Sequence, residues 1–79
     1  MIDEKTIIDK CCKGDRASQK ELYDFFCKKM LVVCLRYSKS LVEAEDILQE
    51  GFVKVFNGIK DFRGEAKLST WITRIMVNT

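Results

Sequence analysis

The sequence contains no histidine and no proline. Histidine is the usual general base near neutral pH and a frequent zinc ligand, so its absence excludes Ser-His-Asp and Cys-His catalytic arrangements. A Gly-rich phosphate-binding loop is also missing, and no carboxylate pair stands isolated among apolar residues. Because proline is absent, long helices can run without interruption. The sequence therefore predicts a helical protein that is not an enzyme and that holds no metal or cofactor.

Long apolar runs are also missing. No stretch approaches the ~18 apolar residues of a membrane span, and the N-terminus lacks the basic and apolar segments of a signal peptide. We therefore expect a cytoplasmic protein without membrane insertion. The four cysteines, Cys11, Cys12, Cys27 and Cys34, form no C-x-x-C pair, which favours reduced and mostly buried thiols. A small redox or metal protein is the alternative that they leave open.

The chain has 79 residues, of which 47% are apolar and 33% charged, and this composition is typical of one small globular domain. Its net charge of +2 is too small to indicate nucleic-acid binding by total charge alone. Any such function must depend on where the charges lie.

Apolar residues recur at spacings of three and four along four segments, which predicts an all-α, compact bundle of about four helices with a functional loop near 61–67. The expected helices are roughly 3–13, 16–38, 41–60 and 67–79. Gly14 suits the left-handed residue after the first helix, and Ser40 with Glu43 forms a capping box for the third. Asp15 fits as the cap of the second helix, and Ser18 with Glu21 offers a competing capping box slightly later. The predicted core stripes comprise Ile7, Ile8, Cys11 and Cys12; Leu22, Tyr23, Phe26, Met30, Val33, Cys34 and Tyr37; Ala44, Ile47, Leu48, Gly51, Phe52, Val55 and Ile59; and Leu68, Trp71, Ile72 and Ile75.

The segment from Ala44 to Ile59 has an unusual polar side. At about 100° per residue, the side opposite its apolar stripe holds Asp46, Gln49, Glu50, Val53 and Asn57. Glu43 and Glu45 add further negative charge, and no lysine or arginine follows until Lys54. A solvated acidic surface is one interpretation, and a docking face for a partner is the other.

The predicted loop and fourth helix carry charge of the opposite sign. Between Lys60 and Arg74 there are four basic and two acidic residues. Aromatic, arginine, lysine, threonine and asparagine side chains in this region are the set that stacks on bases, meets phosphates and reads base edges. The helical spacing of Trp71 favours a core position over base stacking, and Phe62 could equally pack the loop onto the core. The basic outer side of the second helix fits either a solvated surface or one near nucleic acid.

Three motifs in order suggest a family: A-E-D-I-L-Q-E-G-F at 44–52, F-R-G at 62–64, and T-W-x-x-R-I-x-V-N-T at 70–79. Together they closely resemble the second conserved domain, region 2 of the sigma-70 family, of bacterial extracytoplasmic-function (ECF) sigma factors. The resemblance covers residues 1–79 and implies a transcription initiation factor domain. The family's following domain, which reads the minus-thirty-five element, is absent, so we expect the chain to be a piece of a longer protein.

The resemblance also implies partners and site residues. In the family, the third helix binds the clamp helices of the β′ subunit of core RNA polymerase, and the loop after it captures a base flipped from the non-template strand of the minus-ten promoter element. An anti-sigma factor is a further expected partner. The implied polymerase-binding residues are Asp46, Gln49, Glu50, Val53 and Phe56, and the implied DNA-binding residues are Phe62, Arg63, Gly64, Lys67, Thr70, Trp71, Arg74 and Asn78. The competing hypothesis is a helical protein-interaction adaptor that never contacts DNA; exposure of Phe62, Arg63 and Asn78 on one surface would favour DNA recognition.

Overall fold

A computed structural model describes residues 3–79 and contains four α-helices. A 3₁₀ turn, Ile59–Asp61, continues the third helix, and residues 62–67 form the loop before the fourth. No strand occurs within residues 3–79. The predicted all-α bundle with a loop near 61–67 is therefore confirmed, with each helix end within two residues of its expected position. The helices are α1 (Glu4–Cys12), α2 (Arg16–Arg36), α3 (Leu41–Gly58) and α4 (Leu68–Val77).

The helix boundaries follow from local chemistry. Gly14 has φ +81°, the left-handed conformation that glycine adopts without a steric penalty. At the start of α3, the Glu43 backbone N–H donates to Ser40 Oγ at 3.1 Å. The Glu43 carboxylate accepts from the Lys39 backbone N–H at 3.4 Å, one residue before the partner expected in a reciprocal capping box. The Asp15 carboxylate at the start of α2 accepts the Ser18 hydroxyl at 2.6 Å instead of a backbone N–H.

The core lies where α2 packs against the other three helices, and α1 also packs on the 3₁₀ turn. Most of the predicted apolar stripes are buried as expected. Met76, which the sequence analysis did not assign to the core, is only 2% exposed and fills the space beside Gly51 between α3 and α4. The buried core consists of Ile7, Cys11, Leu22, Phe26, Met30, Cys34, Ala44, Leu48, Phe52, Val55, Ile59, Leu68, Ile72 and Met76.

Three predicted orientations are wrong. Tyr37 is 61% exposed because α2 ends at Arg36, so the helical period no longer determines where this side chain points. Cys12 is exposed because the short α1 buries only the side that carries Ile7 and Cys11. The apolar stripe at Leu68, Ile72 and Ile75 predicts that Thr73 faces outward. Thr73 is instead half-buried, and its hydroxyl donates to the Ser69 carbonyl at 2.7 Å.

The cysteines should therefore differ in reactivity. Burial raises the pKa of the Cys11 and Cys34 thiols above their usual value, which lowers their thiolate fraction at neutral pH. Cys12 is exposed. We expect a thiol-specific reagent to label Cys12 first in the folded protein, and Cys11 and Cys34 only after unfolding. Mass spectrometry of tryptic peptides at successive times measures the order, and early labelling of Cys34 would contradict it.

Two glycines of α3 should respond oppositely to alanine. A Cβ at Gly51 would overlap the buried Met76 sulfur, whereas one at Gly58 would lie 3.6 Å from the Trp71 ring, an ordinary contact. Alanine gains up to about 1 kcal/mol of helix propensity, but overpacking costs about 1–3 kcal/mol. We expect Gly51→Ala to lower the free energy of unfolding by about 1 kcal/mol and Gly58→Ala to leave it unchanged or raise it. Urea denaturation followed by circular dichroism measures both, and stabilisation by Gly51→Ala would contradict the packing argument.

Candidate functional site

The outward side of α3 carries an unpaired acidic and apolar stripe. Its members Val42, Asp46, Gln49, Glu50 and Val53 are all exposed, and we call them the α3 outer face. Four of the five are residues proposed from the sequence. Val42 was not, although it is 72% exposed and stands seven residues before Gln49 and eleven before Val53 on the same side of the helix. That spacing was the signal that could have identified it.

Tyr23 of α2 fixes one residue of the α3 outer face. Gln49 Nε2 donates to Tyr23 Oη at 3.0 Å, across 26 residues of sequence. The Tyr23 ring also packs against Phe52, with ring centroids 4.7 Å apart. The nearby Cys27 side chain, followed by burial, raises the pKa of Tyr23, so the phenol stays protonated at neutral pH. With its nitrogen engaged, Gln49 has its amide oxygen left to accept a hydrogen bond from a partner.

Phe56 lies at the edge of the α3 surface and is only partly accessible. It is half-buried and stacks on Phe52, with centroids 6.0 Å apart and the ring planes at 28°. Tyr23, Phe52 and Phe56 thus form a continuous aromatic row under the α3 outer face. A partner can touch Phe56 only where its ring remains exposed.

The loop after α3 is folded back onto α4 by two aromatic rings. Phe62 and Trp71 are both half-buried, with centroids 5.2 Å apart and the ring planes at 50°. The Trp71 ring also faces Gly58 at the end of α3, where an added Cβ would lie 3.6 Å from it. Gly64 has φ +75° and therefore turns the loop in the left-handed region. The two aromatics of the predicted DNA site are brought together, but they also belong to the packing of the domain.

Beside this aromatic pair lies a depression of about 180 Å³, lined in part by Phe62, Arg63, Trp71 and Arg74. It is smaller than the about 300–1,000 Å³ of drug-sized ligand pockets. An adjacent depression of about 370 Å³ shares Trp71 and Arg74 and extends to Asn78. Through these two shared residues, Phe62, Arg63 and Asn78 border one continuous surface.

Charged side chains line the two depressions: Arg63 and Arg74 lie beside Asp61 and Glu65 in the first, and Lys54 and Arg74 line the second. Lys60, Arg63, Lys67 and Arg74 are exposed. Within residues 3–79 the one ion pair is Lys20 with Asp24 on α2, so these four cations have no carboxylate partner among the described residues. Cations without a carboxylate partner are available to bind phosphate groups. Thr70 is exposed on α4 and, with Arg74 and Asn78, lines a third depression of about 310 Å³.

Exposure of Phe62, Arg63 and Asn78 is the criterion that separates DNA recognition from an adaptor, and the structure meets it only in part. Arg63 and Asn78 are exposed, as DNA recognition requires, whereas Phe62 is half-buried against Trp71. Among the described residues, no cluster of His, Cys, Asp and Glu could hold a metal ion, and the four cysteines are unpaired. In the part of the chain that the structure describes, no helix is long and apolar enough to cross a membrane.

Comparison with known proteins identifies relatives over the whole fold. The model of the family described as Sigma-70 region 2 matches residues 27–79. The ECF RNA polymerase sigma factor SigW of Bacillus subtilis is 36% identical over 84% of this chain and 35% of its own length. The ECF RNA polymerase sigma-E factor of Escherichia coli (strain K12) is 30% identical over 100% of this chain and 41% of its own length. The RNA polymerase sigma-H factor of Pseudomonas aeruginosa is 29% identical over 96% of this chain and 39% of its own length.

A solved structure has the same fold. It is an engineered region 2 of sigmaE in complex with GTAAAA, determined by NMR, with a TM-score of 0.87 and 28% sequence identity. The match covers 98% of this chain and 80% of that one. The chain spans about two fifths of the length of the curated relatives it matches.

Proposed function

The chain belongs to the Sigma-70 region 2 family of ECF sigma factors, and on that premise we propose that it binds RNA polymerase through α3 and promoter DNA through the loop and α4. The observation that carries the proposal is the presence of two exposed surfaces of opposite character. The α3 outer face is acidic and apolar, whereas the loop and α4 are basic and aromatic. Two such surfaces suit two different partners. The family is one of transcription initiation factors and not of enzymes.

For the polymerase, we propose that the α3 outer face docks on the clamp helices of the β′ subunit. Asp46 and Glu50 would pair with basic side chains, and the Gln49 amide oxygen would accept a hydrogen bond. Val53, 59% exposed, and the accessible edge of Phe56 would add apolar contact. Charge complementarity of this kind fixes the register of docking and speeds association.

For DNA, we propose that the depression beside Phe62 and Trp71 receives a base flipped out of the non-template strand of the minus-ten element. Flipping costs a few kcal/mol, which stacking on an aromatic ring and hydrogen bonds to the base edge can offset. Arg63, Arg74 and Lys67 would hold the phosphates, Thr70 and Asn78 would contact the strand, and Gly64 would let the loop backbone approach it. The complex of the related sigmaE region 2 with GTAAAA supports this assignment.

The remaining parts of the proposal concern the cell. A sigma factor acts where RNA polymerase is, so we place this protein in the cytoplasm. We also propose control by an anti-sigma factor, on the basis of family membership. Promoter opening by the whole protein would additionally require the part of its relatives that lies beyond this match.

Binding to GTAAAA tests the DNA assignment. Fluorescence anisotropy of a labelled GTAAAA oligonucleotide should rise on titration with the chain and stay lower with a GTCCCA control. Arg63→Ala should weaken binding, while Lys20→Ala, which removes an equal charge from an exposed lysine of α2 that pairs with Asp24, should not. Equal affinity for both oligonucleotides would leave only non-specific charge attraction and would contradict base recognition.

A helical adaptor is the second candidate, because Phe62 packs against Trp71 instead of standing free. In that case GTAAAA would not bind at any concentration tested, while the β′ clamp helices or another protein would still bind α3. The two titrations together separate the candidates.

The contact between Tyr23 and Gln49 makes a further prediction about polymerase binding. Removing the phenol oxygen by Tyr23→Phe keeps the ring packing but frees the Gln49 amide to rotate. A neutral hydrogen bond contributes about 0.5–1.5 kcal/mol, so we expect affinity for a β′ clamp-helix hairpin to fall about two- to tenfold. The effect should vanish in a Gln49→Ala background, which isothermal titration calorimetry of the double-mutant cycle measures. Equal losses in both backgrounds would contradict a positioning role.

A further inference from the structure

The α2 helix exposes a stripe that neither proposed surface includes. Three large apolar side chains are exposed along the helix: Phe25 at 46%, Val32 at 52% and Leu35 at 42%. Three exposed cations lie among them. We call these six residues the α2 stripe: Phe25, Lys28, Lys29, Val32, Leu35 and Arg36.

The six residues lie on one side of the helix. Phe25, Lys29, Val32 and Arg36 are spaced by four, three and four residues, which places them within a narrow arc at about 100° per residue. Lys29 Nζ lies 5.9 Å from the centroid of the Phe25 ring, which confirms that these two side chains are neighbours. Another side of α2 buries Leu22, Phe26 and Met30 in the core.

The charge of the α2 stripe is of one sign. No Asp or Glu occurs between Asp24 and Glu43, a segment that contains Lys28, Lys29, Arg36 and Lys39. A solvated helix face ordinarily carries carboxylates four residues from lysines. Lys20 and Asp24 form such a pair in α2, just before the stripe. Cations without carboxylates beside several exposed apolar side chains on one side of a helix favour an interaction surface.

We propose that the α2 stripe docks an acidic amphipathic helix of another protein. Apolar residues of that helix at spacings of three, four and seven would cover Phe25, Val32 and Leu35, and carboxylates along its edges would meet the three cations. A helix in such a groove gains both desolvated apolar contact and charge complementarity. The sign of the charge determines the partner, because a basic helix would be repelled by Lys28, Lys29 and Arg36.

A nucleic acid fits this surface less well. The segment from Phe25 to Arg36 contains no Ser, Thr, Asn, Gln or Tyr that could contact base edges. The aliphatic side chains of Val32 and Leu35 have no π-face on which a base could stack. Lys29 already lies near the Phe25 ring. These features favour a protein as the partner, and the α2 stripe shares no residue with either surface in the proposed function.

The probe is a synthetic 18-residue helical peptide with leucines along one side and glutamates elsewhere, added to the ¹⁵N-labelled chain. We expect backbone amide shifts in residues 24–37 and an affinity that falls about tenfold with Val32→Asp or Lys29→Glu. Two matched controls should bind as the unaltered chain does. Lys20→Glu reverses a charge outside the stripe, and Val53→Asp makes the same change as Val32→Asp at a similarly exposed valine of α3.

Several results would overturn the proposal. One is no binding of the acidic peptide, and another is shifts confined to α3 or α4. Equal binding of a peptide with lysines in place of the glutamates would refute the charge argument, and displacement of the peptide by GTAAAA would assign the stripe to nucleic acid. Self-association in sedimentation velocity that Val32→Asp abolishes would identify a second copy of the chain as the occupant instead. Arg63→Ala tests GTAAAA binding and Gln49→Ala tests β′ binding, and neither residue belongs to the α2 stripe. Binding of the acidic peptide is therefore tested separately from the proposed function.

Discussion

Trp71→Ala is expected to lower the free energy of unfolding by about 2–3 kcal/mol. The indole ring packs against Phe62 on the loop and lies at the edge of the core. Replacing a fully buried aromatic by alanine costs about 3–5 kcal/mol, and half-burial reduces that figure. A domain of this size has roughly 4–12 kcal/mol of total stability, so the loss is a large part of it. Urea denaturation followed by circular dichroism measures the change.

The same substitution should weaken GTAAAA binding for an indirect reason. Without the indole ring, Phe62 loses its stacking partner and the loop is no longer held on α4. Trp71→Phe supplies the control, because it keeps a ring near Phe62 and should recover most of the stability. Arg63→Ala should instead weaken binding with a change of less than about 0.5 kcal/mol in stability, since Arg63 is exposed. An unchanged unfolding midpoint in Trp71→Ala would contradict the structural role.

Trp71 supports the packing of the loop and also lies in the proposed DNA site, which explains why the sequence could not assign it to one role. Its spacing with Leu68 and Ile72 predicts a core position, and the T-W motif predicts a DNA site. In the structure Trp71 is half-buried, packs against its neighbours and lines the same depression as Arg63. A residue with both roles gives the same pattern as a residue with either one. Only the contact with Phe62, which lies on the loop and not on α4, shows that Trp71 has both roles.

The features that the sequence predicted well are those set by local physics. Helix ends at Gly14 and Ser40 follow from backbone conformation and capping, and the buried side of α3 follows from the 3.6-residue period. The prediction for Tyr37 was wrong because the 3.6-residue period no longer applies where the helix ends. Local patterns do not show how far a helix continues, so the last residue of a stripe is the least certain.

The features that it missed depend on contacts between helices. Tyr23 and Gln49 are 26 residues apart, and no pattern in either helix indicates that their side chains meet. The close approach of Gly51 to Met76 likewise depends on how α3 and α4 pack. The sequence therefore predicted the α3 outer face only as a row of exposed residues, whereas the structure also shows aromatic rings packed beneath it. Tyr23, Phe52 and Phe56 hold this row from the side of the core.

Asp46→Lys is expected to weaken binding to the β′ clamp helices by about 2–4 kcal/mol, or on the order of 30- to 1,000-fold. Asp46 is exposed on the α3 outer face between Val42 and Gln49, so a lysine there would replace attraction to basic clamp residues by repulsion. Stability should change by less than about 0.5 kcal/mol, because the side chain has no ion pair among residues 3–79.

Calorimetric titration of a β′ clamp-helix hairpin measures the effect of Asp46→Lys, and the salt dependence identifies its cause. If the loss is electrostatic, the affinities of the original and altered chains should converge as ionic strength rises from 0.1 to about 1 M, where the Debye length falls from about 10 to 3 Å. Glu4→Lys on α1 is the matched control, since it reverses one exposed carboxylate away from the α3 outer face. If Glu4→Lys weakened binding as much as Asp46→Lys, the attraction would depend on total charge, and the α3 outer face would have no special part in docking.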